Sequence, residues 1–201
     1  MQSVSPSQDW EKRFDKQTEK IIKANGTGTD LALQKQILRM GEEDQEIRKK
    51  EIAANEQELP ELVKQMEQTD ARLTNELKQI VASHGWPTVA LVGIRASQAA
   101  ALILIHSPDH DWQEQLIPQL QKLVDLKQII GSDIATLIDK ALVSRSQLQR
   151  FGTQFKITGG KMVIDPVENP KHLEERRAHY MLPPMKIYRT MLRDMYKMPV
   201  Q

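Results

Sequence analysis

Asp44 and Arg48 stand four residues apart in "DQEIR", and the apolar residues around them fall at 33, 37, 40 and 47. In a helix this spacing puts both charged groups on or beside the face that carries Leu33, Ile37, Met40 and Ile47. An exposed Asp–Arg pair at this separation contributes roughly a few tenths of a kcal/mol. On an apolar face the same pair is costly to desolvate unless it orients a neighbour or binds something. The chemistry expected of it is recognition of a carboxylate or stabilisation of an oxyanion by Arg48, with Asp44 holding the guanidinium in place. A plain buried ion pair is the structural alternative.

Two histidines extend the argument. His84 follows Leu73, Leu77 and Ile80 at helical spacing, so it continues their apolar stripe into "HGWPT". His106 ends "AAALILIH", on one face with Ala99 and Leu102. Imidazole titrates near neutrality, which makes either residue a candidate general acid or base. The alternative is a core histidine bonded to a carbonyl, because buried polar groups need partners. A metal reading would combine His106 with Asp109 and His110. Pro108 opposes it by placing 109–111 in a loop, where Asp109 and Asp111 serve as capping residues. No metal ligand set is expected.

The link "LQRFGTQF" at 148–155 supplies further polar groups: Gln149, Thr153 and Gln154 can present donors and acceptors to a ligand or to neighbouring helix ends. Asp139 in "LIDKAL" is placed to accept from that link or from Arg48. There is no nucleophile elbow, phosphate-binding glycine loop, dinucleotide fingerprint or H-E-x-x-H, so no cofactor is expected.

These residues need a helical frame. Trp10, Phe14, Ile21 and Ile22 predict an amphipathic arm over 8–24, and "NGTGTD" breaks it, with Thr29 or Asp30 capping the next helix. Gly41 is a possible bend in that helix. The next runs over about 61–83, ended by Gly85 and Pro87. "RASQAAALILIHS" is apolar nearly all round and reads as a central helix. Asp111 with Glu114 suggests a capping box, Pro118 a kink or a later start, and Ser132 the cap of "GSDIATLIDKALVSR". "QFKIT", Gly159-Gly160 and "KMVID" form a hairpin signal. Two helices, about 170–181 and 184–197, complete a mainly α, multi-helix domain with one small β-hairpin near 154–165. "EERR" reads as a solvated face, although Arg177 can turn inward, and the methionines read as core filling. The domain division expected is an arm at 1–29 and a helical domain at 30–201.

Bulk composition bounds the partners. Lys+Arg 28 against Asp+Glu 27 leaves a formal charge of +1, and no basic-aromatic cluster calls for nucleic acid. With no cysteine, disulfides and thiolate chemistry are out. The start lacks the regions of a signal peptide, and the run "AAALILI" is too short to span a bilayer. A soluble cytoplasmic protein without a membrane partner is expected, periplasmic if a leader has been removed.

Taken in order, "DQEIR", "HGWPT", "VG" at 92–93, "QAA" before His106, "LIDKAL", "QRFGTQ" and "PVENPKHLEERRAHYMLPPMKIY" at 166–188 resemble a bacterial family of unknown function. Its members carry D-Q-x-x-R, G-W-P-T, an apolar helix ending in His, and Q-x-Y-G-T-Q. The likeness covers about 35–190. Phe151 stands where the family usually has Tyr, and Lys140 where it usually has Arg. The resemblance implies no established reaction. It does imply that Asp44, Gln45, Arg48, His84, Trp86, His106, Asp139, Gln149, Thr153 and Gln154 belong together.

The expected function is therefore binding of a small polar or acidic molecule in a pocket of His84, His106, Arg48 and Gln154. If catalytic, the protein would be a metal-independent hydrolase, lyase or cyclase. His84 or His106 would then be the acid/base, Arg48 and Asp44 the oxyanion or carboxylate site, and Gln154 and Trp86 the substrate holders. The other expectation is a non-catalytic binding or scaffold protein whose N-terminal arm docks a partner or makes a homodimer.

Overall fold

The computed structural model describes residues 6–201, and the first five residues of the expected arm lie outside them. The described residues form eight α-helices and one two-stranded antiparallel hairpin, so the protein is mainly α. The chain groups into two compact units, residues 21–129 and residues 130–201 together with the first helix up to Lys20.

In the unit of residues 21–129, α2 (Leu31–Ala53), α3 (Leu59–His84), α4 (Val89–His106) and α5 (His110–Asp125) follow one another. Asp30 starts α2 by accepting from the Leu33 amide at 2.9 Å, as a short acidic side chain does at a helix N-cap. The α2 core stripe is Leu33, Ile37, Met40, Asp44 and Ile47, as its spacing predicts. Gly41 makes no bend. It permits close approach instead, since a Cβ there would lie 2.7 Å from that of Ala99 on α4.

Three contacts fix the register of α2 on α4. Gln34 donates to the Val92 carbonyl at 2.7 Å, Gly41 faces Ala99, and Arg48 meets His106. The two helices therefore run parallel, touching at steps of two turns, the repeat that keeps one seam in contact. α3 runs the other way along α2: Arg48 pairs with Asp70, Glu43 with Arg72, and Arg39 with Glu76.

α4 is interrupted at Gly93, whose φ of 75° and ψ of 166° are non-helical. This allows the 27–30 link to bond the Leu91 carbonyl through the Thr29 and Asp30 amides, and a Cβ at Gly93 would lie 2.5 Å from the Thr27 carbonyl oxygen. By length and composition α4 could cross a membrane, which the short run "AAALILI" alone did not suggest, but 56% of it is buried inside the protein. That burial is what a core helix shows.

α5 corrects two expectations. Its N-cap is Asp109, which accepts from the Trp112 amide at 2.9 Å, rather than Asp111. Asp109 wins because Pro108 frees the chain just before it, and Lys78 holds its second oxygen. Pro118 lies inside the helix without delaying its start at His110.

In the other unit, α1 (Pro6–Asn25, as far as Lys20) brings Trp10 against Phe14, ring centroids 5.4 Å apart. These rings line a cavity of about 90 Å³ with Ala178, Met181 and Leu182. α6 (Gly131–Ser144) begins after Ile130, so Ser132 lies in its first turn and is not the cap. Phe155–Thr158 (β1) and Lys161–Ile164 (β2) pair in the register Phe155↔Ile164 to Thr158↔Lys161, joined by Gly159 and Gly160, both at positive φ. The end of the chain adds a parallel bridge on β2, with the Met162 amide donating to the Pro199 carbonyl at 2.8 Å. A 3-10 turn at Pro170–His172 followed by α7 (Leu173–His179) stands where one helix over 170–181 is expected, and α8 (Met185–Tyr196) matches the helix expected at about 184–197. Pro183 and Pro184 separate α7 from α8.

Candidate functional site

The unit of residues 21–129 gathers one polar group inside its helices. α2 delivers Asp44 at 1% exposure, because the carboxylate occupies a core position of the stripe. Its Oδ1 lies 2.8 Å from His106 Nδ1 and accepts from Arg48 Nη2 at 3.1 Å, while Oδ2 accepts from Gln45 Nε2 at 2.8 Å. Arg48 Nη2 also donates to Asp70 Oδ1 of α3 at 2.6 Å. Three helices thus converge on one guanidinium.

His106 Nδ1 has two neighbours with incompatible demands. Arg48 Nε lies 3.0 Å away as a donor, and Asp44 Oδ1 lies 2.8 Å away as an acceptor. One ring nitrogen cannot serve both. Without its proton, Nδ1 would set a lone pair against a buried carboxylate. With it, the ring donates to Asp44, and Arg48 is still held through Nη2 by two carboxylates. A proton on Nδ1 satisfies Asp44 and turns Nε2 outward as the acceptor, whereas a proton on Nε2 lets Nδ1 accept from Arg48 Nε.

Burial raises the Asp44 carboxyl pKa. The hydrogen bonds from His106 and Gln45 and the positive charges nearby outweigh it, so Asp44 stays below the usual carboxylate range. It is therefore an anion behind the imidazole at neutral pH. The ring and the guanidinium reach solvent in part, at 23% and 19% side-chain exposure.

Support comes from α5. Gln113 is buried and its Nε2 donates to the carbonyls of Leu104, Ile105 and Ser107, satisfying the open end of α4 beside His106. Spacing carries the signal for it, since Gln113, Leu116, Leu120 and Val124 form the buried face of α5. Asp70 was missed although it fills the gap between Met66 and Leu73 in the α3 stripe.

His84 corrects an expectation. It is exposed, and no described hydrogen bond joins it to the Asp44–His106 group. Helical spacing continues the stripe to it, but the core ends at Ile80. Gly85, at φ 72°, then turns the chain so that Trp86 takes the inner position. Trp86 is 3% exposed, and its indole N–H has no described partner.

The second polar group belongs to the other unit. Asp139, fully buried on α6, accepts from the amides of Arg150, Phe151 and Thr153 at 2.7, 3.0 and 2.9 Å and from the Thr153 hydroxyl at 2.9 Å. Gln149 donates to the carbonyls of Gln154 and Asp165 and accepts from the Gln154 amide. Gln154 spends its Nε2 on the Thr153 hydroxyl. The polar atoms of "QRFGTQ" are thus used largely to fix its own backbone. Phe151 packs its ring against Tyr180 at 4.5 Å.

Arg177 completes that loop from the carbonyl side. It is fully buried, donating to the carbonyls of Phe151 and Pro183 and lying 4.8 Å above the Tyr188 ring. Burial lowers its pKa to about 10 and raises that of Tyr188 to about 12. The Tyr188 hydroxyl donates to the Thr153 carbonyl at 2.9 Å. Tyr188 was not anticipated; Arg177 has turned inward.

A family model described as a family of unknown function, DUF6624, matches residues 31–201, and the chain belongs to that family. No curated protein and no solved structure matches.

Proposed function

We propose that this member of DUF6624 binds a small polar or acidic molecule at Arg48 and His106 and acts on it by acid–base chemistry. Asp44 orients the ring and balances the imidazolium when it forms. His106 Nε2 takes a proton from the substrate or from water and returns it to the leaving atom. Arg48 Nη1, which has no described partner, meets a carboxylate or a developing oxyanion. Hydrolysis, elimination and cyclisation all fit a base of this kind. One observation carries the reading: a buried carboxylate lies 2.8 Å from the inner nitrogen of a histidine that reaches solvent only in part. A bacterial, soluble, cytoplasmic protein is the setting we infer from the motifs and composition.

A scaffold reading has one observation in its favour, because Arg48 Nη2 ties two carboxylates on different helices and so staples α2 to α3. The expected role of the arm has less support. Trp10 and Phe14 line a cavity with residues of their own unit, which reduces the apolar surface left for a partner.

A thermal-shift screen of small carboxylic acids, esters and amides separates the two readings. Compounds that stabilise the wild type but lose that effect in Arg48→Lys and His106→Asn support the site. Compounds that stabilise all three proteins alike, or none that stabilises the wild type, contradict it.

A further inference from the structure

The outer side of the α2–α4 seam is an open groove of about 720 Å³, and its charges have an order. The register that matches Gly41 to Ala99 and Arg48 to His106 places each lining residue along a common axis. Arg95 comes first, then Glu42, then Glu46, then Lys49 at the level of His106. A cation stands at either end and two carboxylates lie between. Gln98 and Gln45 add primary amides at intermediate levels, each able to donate and to accept.

Gln45 joins this groove to the Asp44–His106 group. It lines the groove, and its Nε2 donates to the buried Asp44 Oδ2 at 2.8 Å, which leaves its carbonyl oxygen for a ligand. Leu102 lies on the floor one helical turn before His106, on the same face of α4.

We propose that this groove holds a short acidic peptide, with a carboxylate near each end and an ammonium between, and presents it to His106. The proposal rests on the acid–base reading of that residue and names its substrate class. Arg95 and Lys49 pair with the two carboxylates, Glu42 or Glu46 with the ammonium, and the two glutamines with backbone amides. On this register Arg95 is level with Ile37, so Lys49 stands twelve residues further along, about 18 Å of helix at 1.5 Å per residue. Three extended peptide residues cover about 10 Å of it, and the long side chains of Arg95, Lys49 and the ligand's glutamate span the remainder.

The test is titration of the intact protein with the tripeptide Glu-Ala-Ala, read by the side-chain amide NMR signals of Gln45 and Gln98. The control is Gln-Ala-Ala amide, which keeps the shape without either anion. The expected result is a saturable shift of both glutamine signals, weakened at least about fivefold in Arg95→Ala and in Lys49→Ala. Both positions are exposed, so these variants leave the fold intact. Added salt weakens the binding, as it must for exposed charge pairs. No shift, equal binding of the anion-free control, or unchanged affinity in both variants overturns the proposal. The tautomer of His106, recorded in the same sample, separates the two claims. Peptide binding beside a ring protonated on Nε2 supports the groove and removes the acid–base reading. A ring protonated on Nδ1 without peptide binding does the reverse.

Discussion

His106 Nδ1 lies 2.8 Å from Asp44 Oδ1, although the two residues are separated by 62 positions and come from different helices. The contact depends on α2 and α4 running parallel in one register, with Gly41 letting them approach. Arg48 closes the group from one turn further along α2.

Removing the guanidinium should therefore be expensive. Arg48→Ala leaves Asp44 buried with only His106 and Gln45 as partners and leaves Asp70 without its ion pair. The expected loss is about 2–4 kcal/mol, read as a lower urea midpoint at unchanged slope. Arg48→Lys keeps the charge but loses the fork and should recover only part of it.

Asp44 also sets a pH dependence. Its folded pKa is below the unfolded value, so the stability it provides is complete above about pH 4 and fades as the pH falls through the folded value. The stability difference between wild type and Asp44→Asn should shrink over that acidic range. A difference that stays constant down to strong acid would contradict the assignment.

Asp133 predicts the opposite sign. It lies in the first turn of α6 with Oδ2 buried and without a described partner, and desolvation raises its pKa to about 6. A raised acid binds its proton more tightly when folded, so stability declines as the pH rises from about 4 through 6. Asp133→Asn should be more stable than wild type at neutral pH by about 2 kcal/mol, with the gain vanishing below about pH 4. Denaturation midpoints across this range check it.

The 150–154 loop makes a fourth case. Asp139→Asn removes the charge that gathers three amides, so exchange of the Arg150, Phe151 and Thr153 amide protons should accelerate together. Tyr188→Phe should cost about 1 kcal/mol, and Arg177→Met about 3 kcal/mol by stranding buried carbonyls. The double variant should cost less than the sum, because both side chains hold carbonyls of one loop.

Much of this was legible where one periodicity governs. Asp44 fell on the apolar stripe of its own helix, and that local fact survived folding. Asp30 as a cap and Gly159-Gly160 as a hairpin turn are likewise local matters of backbone geometry. His84 was misplaced because periodicity tells which face a residue shares, not where the core stops. Asp70 was overlooked because a single acid in a charged helix looks solvated until its partner from another helix is known. Arg177 and Tyr188 serve backbone carbonyls rather than side chains, and carbonyls leave no mark in a sequence. Asp109 displaced Asp111 as cap through Pro108 and Lys78, a contact 31 positions away.

The decisive measurement is the protonation of the His106 ring by ¹⁵N NMR on imidazole-labelled protein, followed through a pH titration to the form that carries a single ring proton. The account predicts a proton on Nδ1, hydrogen-bonded to Asp44 and lost from that nitrogen in Asp44→Ala, with Nε2 bare and basic. A proton on Nε2, with Nδ1 accepting from Arg48, would contradict it and leave the group an ion network that holds three helices together.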